Sequence, residues 1–433
     1  DNPMIITTLV QLLNTMFLGK TSSVRRFASL CNSIIVFDEV QSLPNKMLTL
    51  FNLTINFLVK KCHATVILCS ATQPSFENAE HKLLNEVSDL ITLPSETLKV
   101  FERVELVDKG SMSMEELSDF ALEIIRSKKS LLIVCNTKRE AKELFESLQA
   151  EVSGVIPMYH LSASMCTKHR KMIVESMKKD LGLPDPKQIV CVATQVIEAG
   201  VDISFNCVIR LQAGMDSVIQ AAGRCNRNGE SKLESVYIVN LLGEKLSRLR
   251  DIERAKTATN SLLQEVKTKN QYTSLNSDVA ISFYYKKLYS MMNKGEQDFL
   301  VPKLHKSLYG LLNQHDVADG YFLAQQLKTA GKYFNVFDNN TVELIVPYGS
   351  GQNVISELNS EKAMYNLAYA EELIKQATGY TVTCYQYQID VLKKDAAVIY
   401  NDCFGIYILN NSAYYDDKLG LDLDAIGGEG VFY

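Results

Sequence analysis

The sequence predicts an α/β protein with parallel sheets, and three features of the chain support this fold class. Short apolar runs rich in Val, Ile and Leu recur between residues 33 and 242. The runs are nearly continuous rather than alternating, as expected for strands covered on both faces of a parallel sheet. Stretches with helical spacing separate them, and regular alternation of strand and helix favours a doubly wound fold.

The predicted elements form two α/β units. The strands are SIIVF (33–37), TVILCS (65–70), SLLIVC (130–135), QIVCVA (188–193), NCVIRL (206–211) and SVYIVNLL (235–242). The helices between the later strands are 114–128, 138–150 and 167–179. Pro94 and Gly110 lie in the segment between the units and predict a hinge, so the first unit covers 1–105 and the second covers 106–243.

The pattern changes twice after residue 243. Residues 244–335 have helical spacing and predict a helical linker. Residues 336–433 are rich in tyrosine and predict a small α+β accessory domain. Its predicted strands lie in TVELIVPY, TVTCYQYQ and CFGIYIL, and its predicted helix lies around residues 360–377.

Composition narrows the class of protein. The 433 residues are 46% hydrophobic and carry a net charge of −5, so nucleic acid would bind in a local groove rather than by bulk attraction. The ten cysteines show no metal-ligand spacing and predict buried, reduced thiols. The chain has no apolar run of about 18 residues and no signal peptide, so we expect a cytoplasmic protein with no membrane partner.

Two adjacent carboxylates, Asp38 and Glu39, follow the first predicted strand directly. Carboxylates at the carboxyl end of a parallel strand face the ligand crevice of such a sheet. The arrangement matches a Walker B motif, in which Asp38 would bind Mg²⁺ and Glu39 would orient or deprotonate the water that attacks ATP. For this motif alone, a solvated loop is the alternative.

Small hydroxyl residues follow the next strand. Ser70, Ala71 and Thr72 come one βα unit after the carboxylates. Their hydroxyls are suited to hydrogen-bond the metal-site carboxylates and to sense the γ-phosphate. The tripeptide means little by itself, but its order after Asp38 and Glu39 predicts a coupling motif.

The second unit contributes two further motifs. In ATQVIEAGVD (193–202), Thr194 is suited to contact a nucleic-acid phosphate, and Gly200 allows close backbone approach to a ligand. QAAGRCNR (220–227) puts Arg224 and Arg227 three residues apart, on one face of a predicted helix. The forked, permanent charge of arginine suits a transition-state phosphate, where such a finger contributes about 10³–10⁵ in rate. For the pair alone, a solvated helix face is the alternative.

The ordered set of motifs resembles superfamily 2 helicases, and more narrowly the helicase-nuclease of type I CRISPR interference. The closer resemblance rests on IVFDEVQSLP (35–44), CSATQP (69–74), TQVIEAGVDISF (194–205) and QAAGRCNRNG (220–229). ITTLVQLL (6–13) resembles the family's strand-contact motif, and MYHLSA (158–163) resembles a DNA-contacting motif of its second lobe. Gln41 departs from the family, which often has His there, but its amide can still bridge the nucleotide and the second lobe.

The resemblance implies two RecA-like lobes, the first incomplete at its N-terminus, with ATP and Mg²⁺ as cofactors between them. It implies a nucleotide site formed by Asp38, Glu39, Gln41, Gly200, Asp202, Arg224 and Arg227, with Gln220 in the catalytic set. It implies nucleic-acid contacts from Thr7, Thr8, His160, Ser162, Thr194 and Gln195. The implied track is single-stranded DNA, travelled 3′ to 5′ after recruitment by a CRISPR surveillance complex.

Two short motifs resemble functional sites but lack the residues that those sites require. Gly19-Lys20-Thr21 ends like a Walker A motif, but the required first glycine falls on Asn14, and the preceding LVQLLNTMFL predicts a helix instead of a strand. We predict a basic surface loop there, and expect a fragment whose phosphate-binding loop lies upstream. His315-Asp316 lacks the further ligands of an HD nuclease, so we predict a loop, with the nuclease upstream or in a separate chain.

Two other function classes stay open. Without a phosphate-binding loop, the chain could be a module that binds nucleic acid or a partner and hydrolyses nothing. It could also be another superfamily 2 helicase that acts on RNA or duplex DNA. Glu39, Arg224 and Arg227 favour an enzyme, because a scaffold has no use for them.

Overall fold

The computed structural model describes residues 4–423 except 20, 86, 93, 95, 98–99, 153, 155, 184–187, 199, 248, 270–273, 294, 314–324 and 337–340. Lys20, His315 and Asp316 therefore lie outside the described residues. The chain divides into two compact units. Unit 1 comprises Asp1–Leu98, Gly214–Ile219 and Leu246–Asp338, and unit 2 comprises Lys99–Ala213, Gln220–Lys245 and Asn339–Tyr433. The four-part division at 105, 243 and 335 stays a prediction.

The helices and strands follow each other in a mixed order. The helices are α1 (Leu9–Phe17), α2 (Thr21–Phe27), α3 (Leu48–Lys60), α4 (Met114–Ser127), α5 (Lys138–Val152), α6 (Thr167–Leu181), α7 (Met215–Ala222), α8 (Arg250–Lys269), α9 (Asp278–Ser290), α10 (Leu308–Leu312), α11 (Leu327–Tyr333), α12 (Gly351–Leu358), α13 (Glu361–Tyr365), α14 (Leu367–Ala377) and α15 (Gln386–Lys394). The strands are β1 (Ile34–Phe37), β2 (Thr65–Leu68), β3 (Val104–Met112), β4 (Ser130–Val134), β5 (Met158–Leu161), β6 (Ile189–Ala193), β7 (Cys207–Leu211), β8 (Glu234–Leu241), β9 (Leu300–Val301), β10 (Lys306–Ser307), β11 (Thr341–Ile345), β12 (Thr381–Tyr385), β13 (Val398–Asn401), β14 (Ile406–Leu409), β15 (Tyr415–Asp416) and β16 (Gly420–Leu421). No helix in the described part of the chain is both long and apolar enough to cross a membrane.

A six-stranded parallel sheet forms the centre of unit 2 and confirms the predicted fold class there. Its strand order is β3-β8-β7-β4-β6-β5, and every neighbouring pair is parallel. All residues of β4, β6 and β7 are buried. One face packs against α4 and α5 and the other against α6, so the near-continuous apolar runs have the cause that the sequence predicts.

The two edge strands of this sheet, β3 and β5, are absent from the sequence-predicted strands. In β3 no residue is fully buried, and in β5 only His160 and Leu161 are buried. β3 contains Glu105, Asp108, Lys109 and Ser111, and β5 contains Tyr159 and His160, so the apolar run of each strand is short or interrupted. The apolar pattern therefore marks the central strands and misses the edges.

Unit 1 contains a two-stranded parallel sheet of β1 and β2, with Ile34 opposite Thr65 and Phe37 opposite Leu68. Phe37 is buried and makes an edge contact with Phe51 of α3, 5.1 Å between ring centroids. Coverage of both faces, predicted from the apolar run, is wrong for β1, because Ile34 and Val36 are 73% and 59% exposed. Among the described residues, α3 covers one face of the β1–β2 sheet, and Ile34 and Val36 lie on the other face.

The last part of unit 2 is a mixed sheet of strand order β12-β11-β14-β13, in agreement with the predicted α+β character. Two local predictions are wrong. The helix around 360–377 is interrupted at Asn366, whose side chain caps α14 by accepting from the Tyr369 N–H at 3.1 Å. The strand over 381–388 ends at Tyr385, where the Gln388 side chain accepts from the Tyr385 N–H and starts α15.

Candidate functional site

The predicted Walker B carboxylates lie at the carboxyl end of β1, and both are exposed. The hydrogen-bond ladder between β1 and β2 continues to this end, because the Cys69 N–H donates to the Phe37 carbonyl at 2.7 Å. The Glu39 N–H donates to Asp38 Oδ1 at 3.0 Å, and Glu39 adopts a left-handed backbone with φ of +53°. A left-handed conformation costs a non-glycine residue about 1–2 kcal/mol, and such strain is concentrated at functional sites.

A hydrogen-bonded network joins these carboxylates to the predicted coupling motif. Gln41 Nε2 donates to Glu39 Oε2, and Gln41 Oε1 accepts from the Ser70 hydroxyl at 2.5 Å. Ser70 Oγ also accepts from the Thr72 N–H at 3.2 Å, whereas Ala71 between them is exposed. The structure therefore brings together two motifs that are about 30 residues apart in the chain, through both ends of one amide.

Gln41 is the residue that departs from the family pattern, and here its amide bridges Glu39 and Ser70 within unit 1. An amide can donate and accept at the same time, so Gln41 makes this bridge without a charge of its own. Its predicted contact with nucleotide stays a prediction.

Two buried tyrosines and the half-buried Asp216, which the sequence did not single out, extend the network of unit 1. The Thr72 hydroxyl lies 3.2 Å from the Tyr285 hydroxyl. The adjacent Tyr284 donates to Asp216 Oδ1 at 2.7 Å. Burial raises the pKa of both tyrosines well above the ordinary value, so both stay neutral hydrogen-bond donors. The doubled tyrosine in SFYYKKLY was the available signal, but a sequence does not say which strand end faces it.

In unit 2, the residues after β6 lie against a buried ion pair. Thr194 is buried, and its N–H donates to the Leu161 carbonyl at 2.9 Å. Glu198 is also buried, and its carboxylate lies 3.0 Å from Arg210 Nε. Arg210 is fully buried and donates to Asn136 Oδ1 at 2.7 Å. In the sequence this arginine lies within the apolar run NCVIRL. Its partners, Asn136 after β4 and Glu198 after β6, can be identified only from the fold.

The two predicted finger arginines have different surroundings. The Arg224 guanidinium is buried and donates to the carbonyls of Ile197 at 3.0 Å and Glu198 at 2.5 Å. Arg227 is exposed, and its Nε lies 2.8 Å from Asp202 Oδ1. Arg224 therefore holds the turn that follows β6, whereas Arg227 lies on the surface. A contact of both arginines with the γ-phosphate stays a prediction.

The prediction that both arginines share one face of a helix is wrong. Helix α7 ends at Ala222, before either arginine. The chain then forms a bridge to residue 205, because the Phe205 N–H donates to the Arg224 carbonyl at 2.8 Å. Asn226 has a left-handed φ of +45°, which no helix accommodates.

The remaining predicted ligands differ in accessibility. Thr7, Thr8, Gln195, Gly200 and Asp202 are exposed. Thr8 caps α1, because its Oγ1 accepts from the Gln11 N–H at 3.1 Å. Gly200 has a left-handed φ of +71° with no atom near its missing side chain, as close backbone approach to a ligand requires. Gln220 is half-buried.

The two ligands predicted in the 158–163 motif are covered. His160 and Ser162 are 3% and 0% exposed. His160 Nδ1 has no hydrogen-bond partner in the described part of the chain, and burial lowers the pKa of this imidazole to about 4. In this structure neither side chain is accessible to a phosphate, so a DNA contact from either stays a prediction that requires the motif to open.

A segment near the C-terminus packs against the loop that follows this motif. We call residues 414–421 the C-terminal brace. The Leu421 N–H donates to the Ser164 carbonyl at 2.8 Å, and the Cys166 N–H donates to the Tyr415 hydroxyl at 3.0 Å. Gly420 has a φ of +81°, and a Cβ there would lie 2.5 Å from the Ser164 oxygen. Only glycine fits this contact between the brace and the loop 162–166.

A buried histidine fixes the other side of the brace. His169 Nε2 lies 2.9 Å from the Asp417 carbonyl, which can only accept, so Nε2 carries the proton. Nδ1 then accepts from the Tyr415 hydroxyl at 3.0 Å. The ring also stacks on Tyr348 at 4.1 Å between centroids. Burial lowers the pKa of His169, which favours this neutral ring.

This chain is similar to CRISPR-associated proteins. The family "CRISPR-associated nuclease/helicase Cas3, C-terminal" matches residues 127–230. The chain matches the helicase portion of Cas3. A Cas3 nuclease/helicase of Methanothermobacter thermautotrophicus is 28% identical over 247 residues, which are 54% of this chain and 28% of that protein. The Haloferax volcanii Cas3 is 46% identical over 61 residues, which are 14% of this chain and 6% of that protein.

Solved Cas3 structures share the fold. The crystal structure of T. fusca Cas3 has a TM-score of 0.62 at 15% identity and covers 93% of this chain and 53% of that one. Its ATP complex has a TM-score of 0.59 at 16% identity, covering 88% of this chain and 50% of that one. A chain in a CRISPR RNA-guided surveillance complex in the pre-nicking state has a TM-score of 0.54 at 15% identity, covering 87% and 52%. The chain thus spans about half the length of the Cas3 chains solved in these structures.

Proposed function

We propose that this chain supplies the metal-site half of one RecA-like lobe, a complete second lobe and an accessory domain of an ATP-driven DNA translocase. The enzyme would unwind target DNA in type I CRISPR interference for an associated HD nuclease. The observation that carries the proposal is the network from Glu39 through Gln41 and Ser70 to Thr72. It links a water-positioning carboxylate to a coupling motif, as a nucleotide-driven motor requires.

Unit 1 would carry the metal chemistry of ATP hydrolysis. Asp38 and Glu39 are exposed carboxylates at a strand end, and hard oxygen ligands of this kind suit Mg²⁺. Asp38 would hold the metal. Glu39 would orient the attacking water while Gln41 fixes its carboxylate. The solved ATP complex of T. fusca Cas3 supports ATP as the nucleotide.

Unit 2 would supply the arginine finger. Arg227 is exposed, and its present partner Asp202 is an exposed carboxylate in a surface ion pair, which is worth little and is easily exchanged. Arg224 would act mainly by holding the 197–198 turn in place, in addition to its predicted phosphate contact. Gln220 would complete the catalytic set.

The track would be single-stranded DNA. Thr7 and Thr8 in unit 1 and Thr194 and Gln195 in unit 2 would contact its phosphates, joined by His160 and Ser162 once the brace opens. Backbone contacts of this kind tolerate any sequence and weaken with salt. The surveillance-complex structure that contains a similar chain supports such a complex as the partner, and a cytoplasmic location follows from that role.

The decisive experiment is Glu39→Gln in the native full-length polypeptide. We expect loss of DNA-stimulated ATP hydrolysis by a factor of about 10² or more with nucleotide affinity retained, because the amide cannot activate water. Glu77→Gln, which changes another exposed carboxylate of unit 1, is the matched control and should retain full turnover. Unchanged turnover in Glu39→Gln would end the assignment.

The 433 residues alone would not hydrolyse ATP, because their sequence has no Gly-x₄-Gly-Lys-Ser/Thr to cradle the phosphates. This absence also favours the second candidate, a module that binds nucleic acid without hydrolysis. A motor's affinity for single-stranded DNA responds to ATP in the full-length polypeptide, whereas a scaffold's does not. Competition with a matched RNA strand or with duplex DNA distinguishes a helicase that uses another track.

A further inference from the structure

Two cysteines lie side by side at the amino ends of β1 and β2. The parallel register pairs Ile34 with Thr65, so counting back three residues brings Cys31 opposite Cys62. The ladder reaches this position, because the Asn32 N–H donates to the Cys62 carbonyl at 2.8 Å and the Thr65 N–H donates to the Ser33 carbonyl at 2.9 Å.

The segments that lead into β1 and β2 also have the same backbone conformation at this point. Asn32 has a φ of +54° and His63 has a φ of +53°, so the same left-handed residue precedes both strands at the same register position. Matching turns keep the preceding cysteines opposite each other. Neighbouring strands lie about 4.8 Å apart, within the roughly 4.4–6.8 Å between Cα atoms that a disulfide accepts.

The two thiols have complementary environments. Cys31 is exposed, whereas Cys62 is buried beside Leu58, Ala64 and Phe27. Burial raises the pKa of Cys62, and a hydrogen bond with the Cys31 side chain raises it further. The strand register thus places the two cysteines opposite each other, and the Cys31 sulfur is open to a reagent from solvent.

Other cysteines lack this combination. Cys207 and Cys225 also interact with each other, but both are buried, so an oxidant in solution does not reach them. Cys403 is the other exposed cysteine, and it lies in the turn 402–405 between β13 and β14, with no second cysteine opposite it in that hairpin. Cys31 is thus an exposed thiol that lies opposite a second cysteine, Cys62, on the neighbouring strand.

We propose that Cys31 and Cys62 form a redox-modifiable dithiol that disulfide oxidants such as glutathione disulfide convert to a cross-strand disulfide. The Cys31 thiolate attacks one sulfur of glutathione disulfide, the S–S bond breaks, and one glutathione leaves as its thiolate. The Cys62 thiolate then attacks the Cys31 sulfur of the mixed disulfide, and the second glutathione leaves. Two electrons pass to the oxidant and the two cysteine protons end on the glutathione thiols, so two thiols and one glutathione disulfide give one disulfide and two glutathiones.

The position of the bond gives it a consequence. β1 and β2 carry Asp38 and Ser70 just beyond their far ends, so a covalent bond at the near ends fixes the alignment of the two strands that deliver these residues. The bond also closes a loop that contains α3, and closing such a loop restricts the unfolded chain. We expect the melting temperature of the oxidised chain to rise and dithiothreitol to reverse the rise.

The test treats the 433-residue chain with glutathione disulfide, alkylates free thiols and maps the peptides by mass spectrometry. We expect the peptides of Cys31 and Cys62 to be joined, with a mass about 2 Da below the sum of the two thiol peptides, the mass of two hydrogens. Cys62→Ser should instead keep glutathione on Cys31. Cys403→Ser is the matched control and should form the same disulfide.

Two results would overturn the proposal. One is full alkylation of both cysteines after oxidation, which means that Cys31 does not react. The other is a lasting glutathione adduct on Cys31 in the unaltered chain, which means that the Cys62 sulfur does not reach it. Neither result bears on the Glu39→Gln experiment, so the dithiol and the proposed ATPase succeed or fail separately.

Discussion

The contact between the C-terminal brace and the loop 162–166 predicts that Gly420→Ala destabilises unit 2. Gly420 has a φ of +81°, and an added Cβ would lie 2.5 Å from the Ser164 oxygen. The left-handed backbone costs alanine about 1–2 kcal/mol. Moving the chain to relieve the clash costs roughly 1–3 kcal/mol and weakens the Leu421 to Ser164 hydrogen bond, worth roughly 0.5–1.5 kcal/mol. The sum is a loss of roughly 2.5–6.5 kcal/mol.

The assay is thermal unfolding of the 433-residue chain followed by calorimetry. For a unit of this size each kcal/mol shifts the melting temperature by about 2–4 °C, so we expect a fall of roughly 5–26 °C in the transition of unit 2. Gly405→Ala is the matched control. Gly405 has a φ of +66°, but the nearest atom to its added Cβ is the Tyr400 hydroxyl at 3.6 Å, an ordinary contact. The control therefore measures the backbone cost alone, about 1–2 kcal/mol.

The comparison separates the two physical contributions. If Gly420→Ala loses no more stability than Gly405→Ala, the brace does not press on the loop and the reasoning fails. A larger loss at Gly420 that also exposes His160 to hydrogen exchange would show that the brace covers the motif.

Three further predictions concern buried polar groups. Arg210→Met removes the cation of the buried pair with Glu198, and should lower the free energy of unfolding by about 3–5 kcal/mol in urea titrations, partly restored when Glu198→Gln is added. His160 has a folded-state pKa of about 4, below its ordinary 6.5, so its contribution is full above pH 6.5 and is lost as the pH falls towards 4. We expect a loss of about 2 kcal/mol between pH 7.5 and 5, absent in His160→Phe; an equal loss in that variant would contradict the assignment. Tyr285→Phe removes the hydroxyl next to Thr72 and should cost about 1 kcal/mol in unfolding free energy, and no measurable loss would mean that the bond does not form.

Much of the fold was predictable from local pattern. The strands β4, β6 and β7 lie within one residue of their predicted bounds, because a strand buried on both faces admits little but apolar residues. The edge strands β3 and β5 were missed for the converse reason. A strand with one open side carries polar residues, and its sequence then resembles that of a loop.

The approach of Glu39 to Ser70 also followed from the sequence, because residues after neighbouring parallel strands meet at one edge of a sheet. The surroundings of each side chain did not. Arg224 and Arg227 are alike in sequence, yet one is buried against the 197–198 carbonyls and the other pairs with Asp202 on the surface. The helix that was expected to align them ends at residue 222.

The sequence by itself therefore determined the class of fold, the order of the motifs and the strand ends from which they project, since these depend on short-range apolar and polar pattern. Only the tertiary structure decided that Tyr285 meets Thr72, that Tyr415 holds the loop beside Cys166, and that Cys31 faces Cys62. The first two contacts join residues more than 200 positions apart, and all three depend on how elements pack. Local sequence pattern constrains each residue of a pair separately, and it does not specify which distant residue that residue will contact.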